Sequence, residues 1–151
     1  MPEPSYIAVV GAGEADAGQR AAAEEVGRLL AEAGAVVVTG GLGGVMEAAS
    51  KGAREAGGTT LGLLPGADRR EGNRWLTVAV PTGMGEMRNA LVVRAADGVI
   101  AVGGAWGTLS EIAFARKTGT PVVALQSWDL DAVDGFGTPA EAVAALLRRL
   151  G

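Results

Sequence analysis

Residues 35–44 read AVVVTGGLGG, a short run of β-branched residues that ends in a cluster of glycines. Val and Thr favour a strand, and the glycines favour a tight turn directly after it. Residues 9–13 (VVGAG) and 102–108 (VGGAWGT) repeat this order of apolar run and glycine-rich loop. Three such loops, each leading into a helical segment, are typical of a parallel sheet flanked by helices.

Short apolar runs and alanine-rich helical segments alternate along the rest of the chain. The pattern predicts strands at residues 6–10, 35–39, 59–64, 76–80, 98–102 and 121–125, and helices at 17–33, 44–56, 84–95, 108–117 and from 139 onward, the last capped by Thr138. We therefore predict an α/β protein, a three-layer doubly wound Rossmann-like domain with a mostly parallel sheet, formed as one domain by residues 1–151.

The composition excludes several classes of function. The chain has no cysteine and no histidine, which removes disulfides, thiolate or imidazole metal sites and serine–histidine triads. Thirteen basic and 17 acidic residues give a net charge of −4, without a basic stripe for nucleic acid. The apolar runs are too short for a membrane span, and the first residues lack a signal-peptide pattern. We expect a cytoplasmic protein with neither nucleic acid nor a membrane as its partner.

The glycine-rich loops predict a phosphate site. In a parallel sheet they lie at one edge, where glycine lets the backbone approach an anion and the next helix offers free N–H groups. Trp106 is predicted either to stack on a base or to cover its loop. The candidate ligand-binding residues are Gly11, Gly13, Gly40, Gly41, Gly43, Gly44, Asn89, Gly103, Gly104, Trp106, Gly107 and Thr108.

Common phosphate-site motifs do not occur. The first loop has Asp16 where GxGxxG requires its third glycine, and the second strand carries no acidic residue at its end, so a nicotinamide dinucleotide is not expected. The chain also has no GxxxxGK[ST] loop and no GxSxG elbow.

Arg88 and Glu111 are the candidate catalytic residues. An arginine near a helix start opposes the helix dipole and favours an anionic partner, although pairing with Glu86 or exposure to solvent is the alternative. Glu111 follows Thr108 by three residues, so a capping box is the alternative to a role in catalysis. We expect no metal site, and the aspartates at 129, 131 and 134 are interpreted as part of a solvated loop.

Three segments together resemble the LOG-like superfamily of Rossmann-type proteins. They are residues 40–46 (GGLGGVM), 87–89 (MRN) and 103–111 (GGAWGTLSE). The last segment is similar to the PGGxGTxxE signature, with Gly103 in place of the proline and Ala105 in place of the second glycine. The short branch that includes molybdenum cofactor carrier proteins is the one that the chain resembles.

The resemblance implies a homodimer or higher homo-oligomer that binds a phosphate-bearing, nucleotide-type small molecule on its glycine loops. LOG enzymes hydrolyse the N-glycosidic bond of nucleoside 5′-monophosphates, and their essential arginine and glutamate correspond to Arg88 and Glu111. The chain departs from them at Asn89, Ser110 and Glu86, where they carry a lysine, an acid and a histidine. Two functions therefore stay open: a phosphoribohydrolase that requires no cofactor, and a non-enzymatic carrier or sensor of a phosphorylated heterocycle such as molybdenum cofactor, held as cargo.

Overall fold

The computed structural model describes residues 3–151 and shows a seven-stranded sheet with α-helices on both faces. The strands are β1 (Tyr6–Gly11), β2 (Val36–Thr39), β3 (Thr60–Leu64), β4 (Val78–Pro81), β5 (Gly98–Val102), β6 (Val122–Leu125) and β7 (Asp134–Phe136). The helices are α1 (Ala17–Glu32), α2 (Val45–Glu55), α3 (Arg88–Arg94), α4 (Trp106–Thr118) and α5 (Pro139–Leu150), with short 3-10 helices at Arg69–Glu71 and Gly85–Met87. Each described strand pair is parallel, which confirms the predicted α/β class.

The sheet forms the middle layer of three. Side chains that alternate along the strands point to opposite faces, so Ile7 and Val9 pack on α1, α2 and α5, whereas Ala8 and Val10 pack on α3 and α4. The two apolar clusters that result bury β1 on both sides. This accounts for the continuous apolar sequence of that strand.

The strand order is β4-β3-β2-β1-β5-β6-β7, an arrangement that the sequence did not reveal. After β4 the chain crosses back to place β5 beside β1, so the order reverses between these two strands. The two chain segments meet closely at the start of β1, where the Tyr6 N–H donates to Asp97 Oδ2 at 2.8 Å. The loops after β1 and β5 diverge at the opposite, carboxyl end and leave a crevice there.

Two helix starts differ from the prediction. The segment predicted as a helix over 84–95 begins with a 3-10 turn, because Gly85 has a φ of +60°, and its α-helix covers only Arg88–Arg94. The helix predicted to begin at Thr108 begins at Trp106, because the turn at Gly103, with a φ of +77°, places Ala105 at the N-cap. The last helix begins as predicted, with the Thr138 hydroxyl accepting from the Glu141 N–H.

Two local features were missed. Asp134 begins the edge strand β7, so the interpretation of that aspartate as part of a loop is wrong. Asp16, considered only as a missing glycine, caps α1 through a reciprocal pair of hydrogen bonds with Gln19. Among residues 3–151, no helix has the length and apolar character that a membrane span requires.

Candidate functional site

A cavity of about 350 Å³ lies at the carboxyl edge of the sheet, where β1 and β5 diverge. It is bounded by the loops after β1, β2 and β5 and by the first turns of α3 and α4. The residues that line it are Val9, Val10, Gly11, Ala12, Gly13, Gly40, Leu42, Met46, Pro65, Glu86, Arg88, Asn89, Ala105, Gly107, Thr108 and Glu111. A crevice at the point where the strand order reverses is the usual ligand site of an open α/β sheet.

Two glycines allow close contacts between the chain segments that form the wall of this cavity. A Cβ at Gly40 would lie 2.7 Å from Nη2 of Arg88, so only glycine admits the guanidinium there. Gly44 has a φ of +65°, and a Cβ on it would lie 2.2 Å from the carbonyl oxygen of Ala12. These loops are therefore packed against one another and against Arg88.

Arg88, the first residue of α3, is buried and 9% exposed. Its Nη2 donates to the Gly40 carbonyl oxygen at 3.4 Å, and its Nη1 donates to Oδ1 of Asn89. Its Nε is buried and has no hydrogen-bond partner. Burial lowers the pKa of the guanidinium, while the charges of Glu111 and Glu86 oppose that change. The interpretation of Arg88 as a solvated side chain is wrong.

Glu111 is also buried, with 8% of its surface exposed, and lines the same cavity. Burial raises the pKa of its carboxyl from the ordinary 4.5 to about 7, although the nearby Arg88 charge lowers it. Because α4 begins at Trp106, Glu111 lies in the second turn of the helix and cannot close a capping box with Thr108. That alternative for Glu111 is wrong.

Thr108 contributes a buried hydroxyl to the cavity. The residue is 1% exposed, and its Oγ1 has no hydrogen-bond partner. It lies in the first turn of α4, whose N-cap, Ala105, has no polar side chain to accept from the N–H groups of that turn. Thr108 and the uncapped turn therefore present donors at the same wall.

The structure brings most of the predicted site residues together. Arg88, Glu111, Gly11, Gly13, Gly40, Asn89, Gly107 and Thr108 line the cavity, whereas Gly41, Gly43, Gly44, Gly103, Gly104 and Trp106 do not. Gly41 and Gly44 are buried within the loop after β2. Gly103 forms the turn that follows β5, and Trp106 is 77% exposed. Their part in ligand binding remains a prediction.

No sequence pattern indicated Asn73, whose hydrogen bonds hold the loop after β2. Its side-chain amide donates to the carbonyl oxygens of Gly41 and Leu42 at 3.3 and 3.0 Å. Its backbone N–H also donates to the carbonyl oxygen of Gly41, at 2.9 Å. Pro65 and Met46, which line the cavity, were also missed. Leu42 and Ala105 could have been found, since they lie inside the glycine-rich stretches.

The donors that face the cavity suit an anion. They comprise one guanidinium, one hydroxyl and the first backbone N–H groups of α4, a set that matches the oxygens of a phosphate group. Within residues 3–151, no cluster of three or more acidic side chains is arranged to hold a metal ion. The chemistry of the cavity therefore suits a phosphate group, and Glu111 is a buried carboxyl that lines the same cavity.

The fold and the cavity define a Rossmann-type α/β protein. Its crevice lies where the strand order reverses, as the ligand sites of such proteins usually do. More particularly, the chain belongs to the SLOG cluster4 family, whose sequence model matches residues 4–147. This places it among LOG-like proteins, in agreement with the resemblance of its motifs.

Several relatives match over nearly their whole length. An uncharacterized protein from Archaeoglobus fulgidus is 44% identical over 140 residues, 91% of each chain. A solved molybdenum cofactor binding protein from Rippkaea orientalis has a TM-score of 0.94 at 34% identity and covers 99% of both chains. The molybdenum cofactor carrier protein of Chlamydomonas reinhardtii has a TM-score of 0.90 at 35% identity, with 98% of both chains covered.

Proposed function

We propose that the protein is a carrier that holds a phosphorylated heterocycle of the molybdenum cofactor class. The phosphate would lie in the cavity between the first turns of α3 and α4, against Arg88 and Thr108. The solved relatives named for binding or carrying molybdenum cofactor support this assignment. The cofactor is cargo in this proposal, and the protein itself requires none for its fold.

The observation that carries the proposal is a pair of unsatisfied donors on one cavity. Nε of Arg88 and Oγ1 of Thr108 are both buried and lack a partner. An unpaired buried polar group costs about 1–3 kcal/mol, and more where the group is charged. A phosphate oxygen would accept from both groups and remove that cost, which gives binding a driving force that depends on these two side chains.

The charge of the cavity is compatible with an anionic cargo. Arg88 supplies a positive charge, and the raised pKa of Glu111 keeps a large share of that carboxyl neutral near pH 7. A neutral Glu111 does not repel a phosphate, and it can donate a hydrogen bond to it. Glu86 is exposed, so solvent screens its charge.

The proposal is tested by loading the purified protein. Molybdenum cofactor released from a heat-denatured molybdoenzyme is mixed with the chain, and free ligand is removed on a desalting column. We expect pterin and molybdenum to co-elute with wild type, as measured by fluorescence after oxidation and by elemental analysis. Arg88→Ala and Thr108→Val should each reduce retention at least about 10-fold, since each removes a hydrogen bond to the charged phosphate.

Ser50 provides a matched control. Its hydroxyl is also buried without a partner, but it lies in α2 and does not line the cavity. Ser50→Ala should retain the cofactor like wild type. If Ser50→Ala loses as much cofactor as Thr108→Val does, the loss is explained by general loosening of the core and not by a change in the cavity. Failure of wild type to retain pterin would contradict the proposal itself.

A second candidate is a phosphoribohydrolase, and the buried carboxyl of Glu111 favours it. Cleavage of a nucleoside 5′-monophosphate breaks the bond between the base and ribose, and water adds to give free base and ribose 5-phosphate. Positive charge develops on the ribose, which an ionised Glu111 would stabilise. The test is incubation with adenosine 5′-monophosphate and detection of free adenine. Activity in wild type and its loss in Glu111→Gln, with binding retained, would select this candidate over the carrier.

A further inference from the structure

Two apolar side chains are exposed to an unusual degree. Trp106 is 77% exposed and Met87 is 73% exposed, more than the other exposed large apolar residues in the described part of the chain, the next being Val78 at 49%. Exposing most of a tryptophan leaves a large apolar area in contact with water. Such an area is typical of a surface that contacts another molecule.

Both residues are next in the chain to residues that line the cavity. Trp106 is the first residue of α4, between Ala105 and Gly107, and both of these neighbours line the cavity. Met87 directly precedes α3, between the lining residues Glu86 and Arg88. It lines a second, smaller cavity that shares Glu86, Asn89 and Glu111 with the first. The two most exposed apolar side chains therefore stand on the two helix starts that also carry the unsatisfied donors.

Trp106 is held in place by a second tryptophan. The two ring centroids, of Trp106 and Trp128, lie 5.3 Å apart, with the ring planes inclined at 41°. Trp128 is in turn fixed to the loop, because its indole N–H donates to the carbonyl oxygen of Ala105 at 3.1 Å. An aromatic ring that is supported from one side and open on the other is suited to contact a planar ligand.

Neither Trp106 nor Met87 lines the cavity, so a ligand group that contacts them would lie outside the cavity. At about 350 Å³ it is near the lower end of the range for ligand pockets, about 300–1,000 Å³. The donors without a partner, Nε of Arg88 and Oγ1 of Thr108, are buried and would take the phosphate. The heterocycle joined to that phosphate would then extend toward Trp106 and Met87.

We propose that Trp106 and Met87 form an apolar rim that contacts the flat heteroaromatic ring of the bound ligand. This rests on the proposed function, and it adds that the protein distinguishes aromatic phosphates from sugar phosphates. Stacking on an aromatic side chain is largely independent of the identity of the ring, and the thioether of methionine contacts aromatic edges favourably. The rim therefore selects a class of ligand, a planar heterocycle with a phosphate, whereas the cavity binds the phosphate.

The test compares two commercial probes that share the phosphate, guanosine 5′-monophosphate and ribose 5-phosphate. Affinities for the full chain are measured by calorimetry, with the nucleotide checked for intactness afterwards. We expect wild type to bind the nucleotide at least about 10-fold more tightly, given the known contribution of base stacking. Trp106→Ala should lower the affinity for the nucleotide about 10-fold and change the affinity for ribose 5-phosphate by no more than about 2-fold. Trp106→Phe keeps an aromatic ring, so it should retain most of the preference for the nucleotide.

Met84 and Trp75 provide the controls. Met84 is exposed, but neither of its chain neighbours lines the cavity, so Met84→Ala should not alter the preference that Met87→Ala reduces. In a Trp75→Phe background, Trp106 and Trp128 are the two remaining tryptophans, and their fluorescence can be followed by selective excitation. The nucleotide should change their emission, and ribose 5-phosphate should not.

The possible failures are distinguishable. If neither probe binds, the proposed phosphate cavity is wrong, and the rim proposal falls with it. If both bind with equal affinity, or if Trp106→Ala weakens both equally, the phosphate cavity stands and the rim is overturned. A change in sedimentation of Trp106→Ala with unchanged probe preference would instead assign the rim to a protein contact, which also overturns the proposal.

Discussion

Nη2 of Arg88 donates to the carbonyl oxygen of Gly40 at 3.4 Å, although 48 residues separate them in the chain. The contact joins the start of α3 to the loop after β2, and both residues line the cavity. It requires that Gly40 have no side chain and that Arg88 be nearly buried. The position of the guanidinium is therefore determined by the loop as much as by its own helix.

Gly40→Ala is expected to displace Arg88 without unfolding the protein. The added Cβ would lie 2.7 Å from Nη2 of Arg88 and 2.8 Å from the sulfur of Met46, both ends of flexible side chains that can move. We predict a loss of phosphate-ligand affinity of about 10-fold, because the charge-assisted hydrogen bond is weakened. Calorimetry with ribose 5-phosphate measures this, and urea unfolding checks the fold. Gly137→Ala is the control, since a Cβ there would meet no atom within 4 Å and the residue does not line the cavity.

Glu111→Gln is expected to change how stability depends on pH. The pKa of Glu111 in the folded protein is raised to about 7, so the folded state holds a proton that the unfolded chain releases above 4.5. The contribution of this bound proton to the free energy of unfolding is fully present below pH 4.5 and is lost as the pH rises through about 7. Relative to the variant, wild type should lose about 3 kcal/mol between pH 4 and pH 8. Parallel urea titrations of the two proteins that show no divergence would contradict this.

Asn73→Asp is expected to loosen the loop after β2. The carboxylate keeps the size of the side chain and the acceptor for the Trp75 N–H, but it cannot donate to the carbonyl oxygens of Gly41 and Leu42. We predict a loss of about 1–3 kcal/mol in the free energy of unfolding. Hydrogen exchange should increase in residues 40–44 before it increases in the core strands. Unchanged exchange in that loop would show that Asn73 does not hold it.

The crossing of α1 and α2 depends on glycine. A Cβ at Gly52 would lie 1.9 Å from the carbonyl oxygen of Glu24, a backbone atom that cannot move alone. Gly52→Ala should therefore separate the helices and cost about 1–3 kcal/mol in unfolding experiments. Gly18→Ala, in the partner helix α1, is the control, because its Cβ would only approach Asp16 at 3.4 Å. That variant should gain about 0.5–1 kcal/mol from helix propensity.

Much of the fold could be predicted because the pattern is local. Strand β5 has its predicted bounds, Gly98–Val102, since a continuous apolar run between polar or glycine residues leaves little ambiguity. The start of α4 was misplaced because Thr108 resembles an N-cap, whereas the turn at Gly103 begins the helix two residues earlier. Strand β7 contains Asp134 and Gly135 and is a strand only because β6 pairs with it, which no local pattern indicates.

The residues of the cavity show the same difference between local patterns, which the sequence reveals, and contacts that form only in the folded chain. Arg88, Thr108 and Glu111 were found because their residue types are unusual next to a glycine loop. Pro65 and Met46 were not, since an apolar lining residue looks like any core residue in the sequence. Asn73 acts on a loop more than thirty residues away, and that relation exists only after the sheet has formed.

The reversal of strand order also concerns how the chain is made. Strand β1 lies between β2 and β5, and the hydrogen bond from Tyr6 to Asp97 links residues 91 positions apart. During synthesis β1 emerges first, yet one of its edges stays unpaired until β5 has left the ribosome. A nascent chain that ends before residue 98 therefore exposes a strongly apolar strand edge, the kind of segment that associates with other chains or recruits chaperones. The protein acquires its central strand pair, β1 with β5, only after residues 98–102 have been translated.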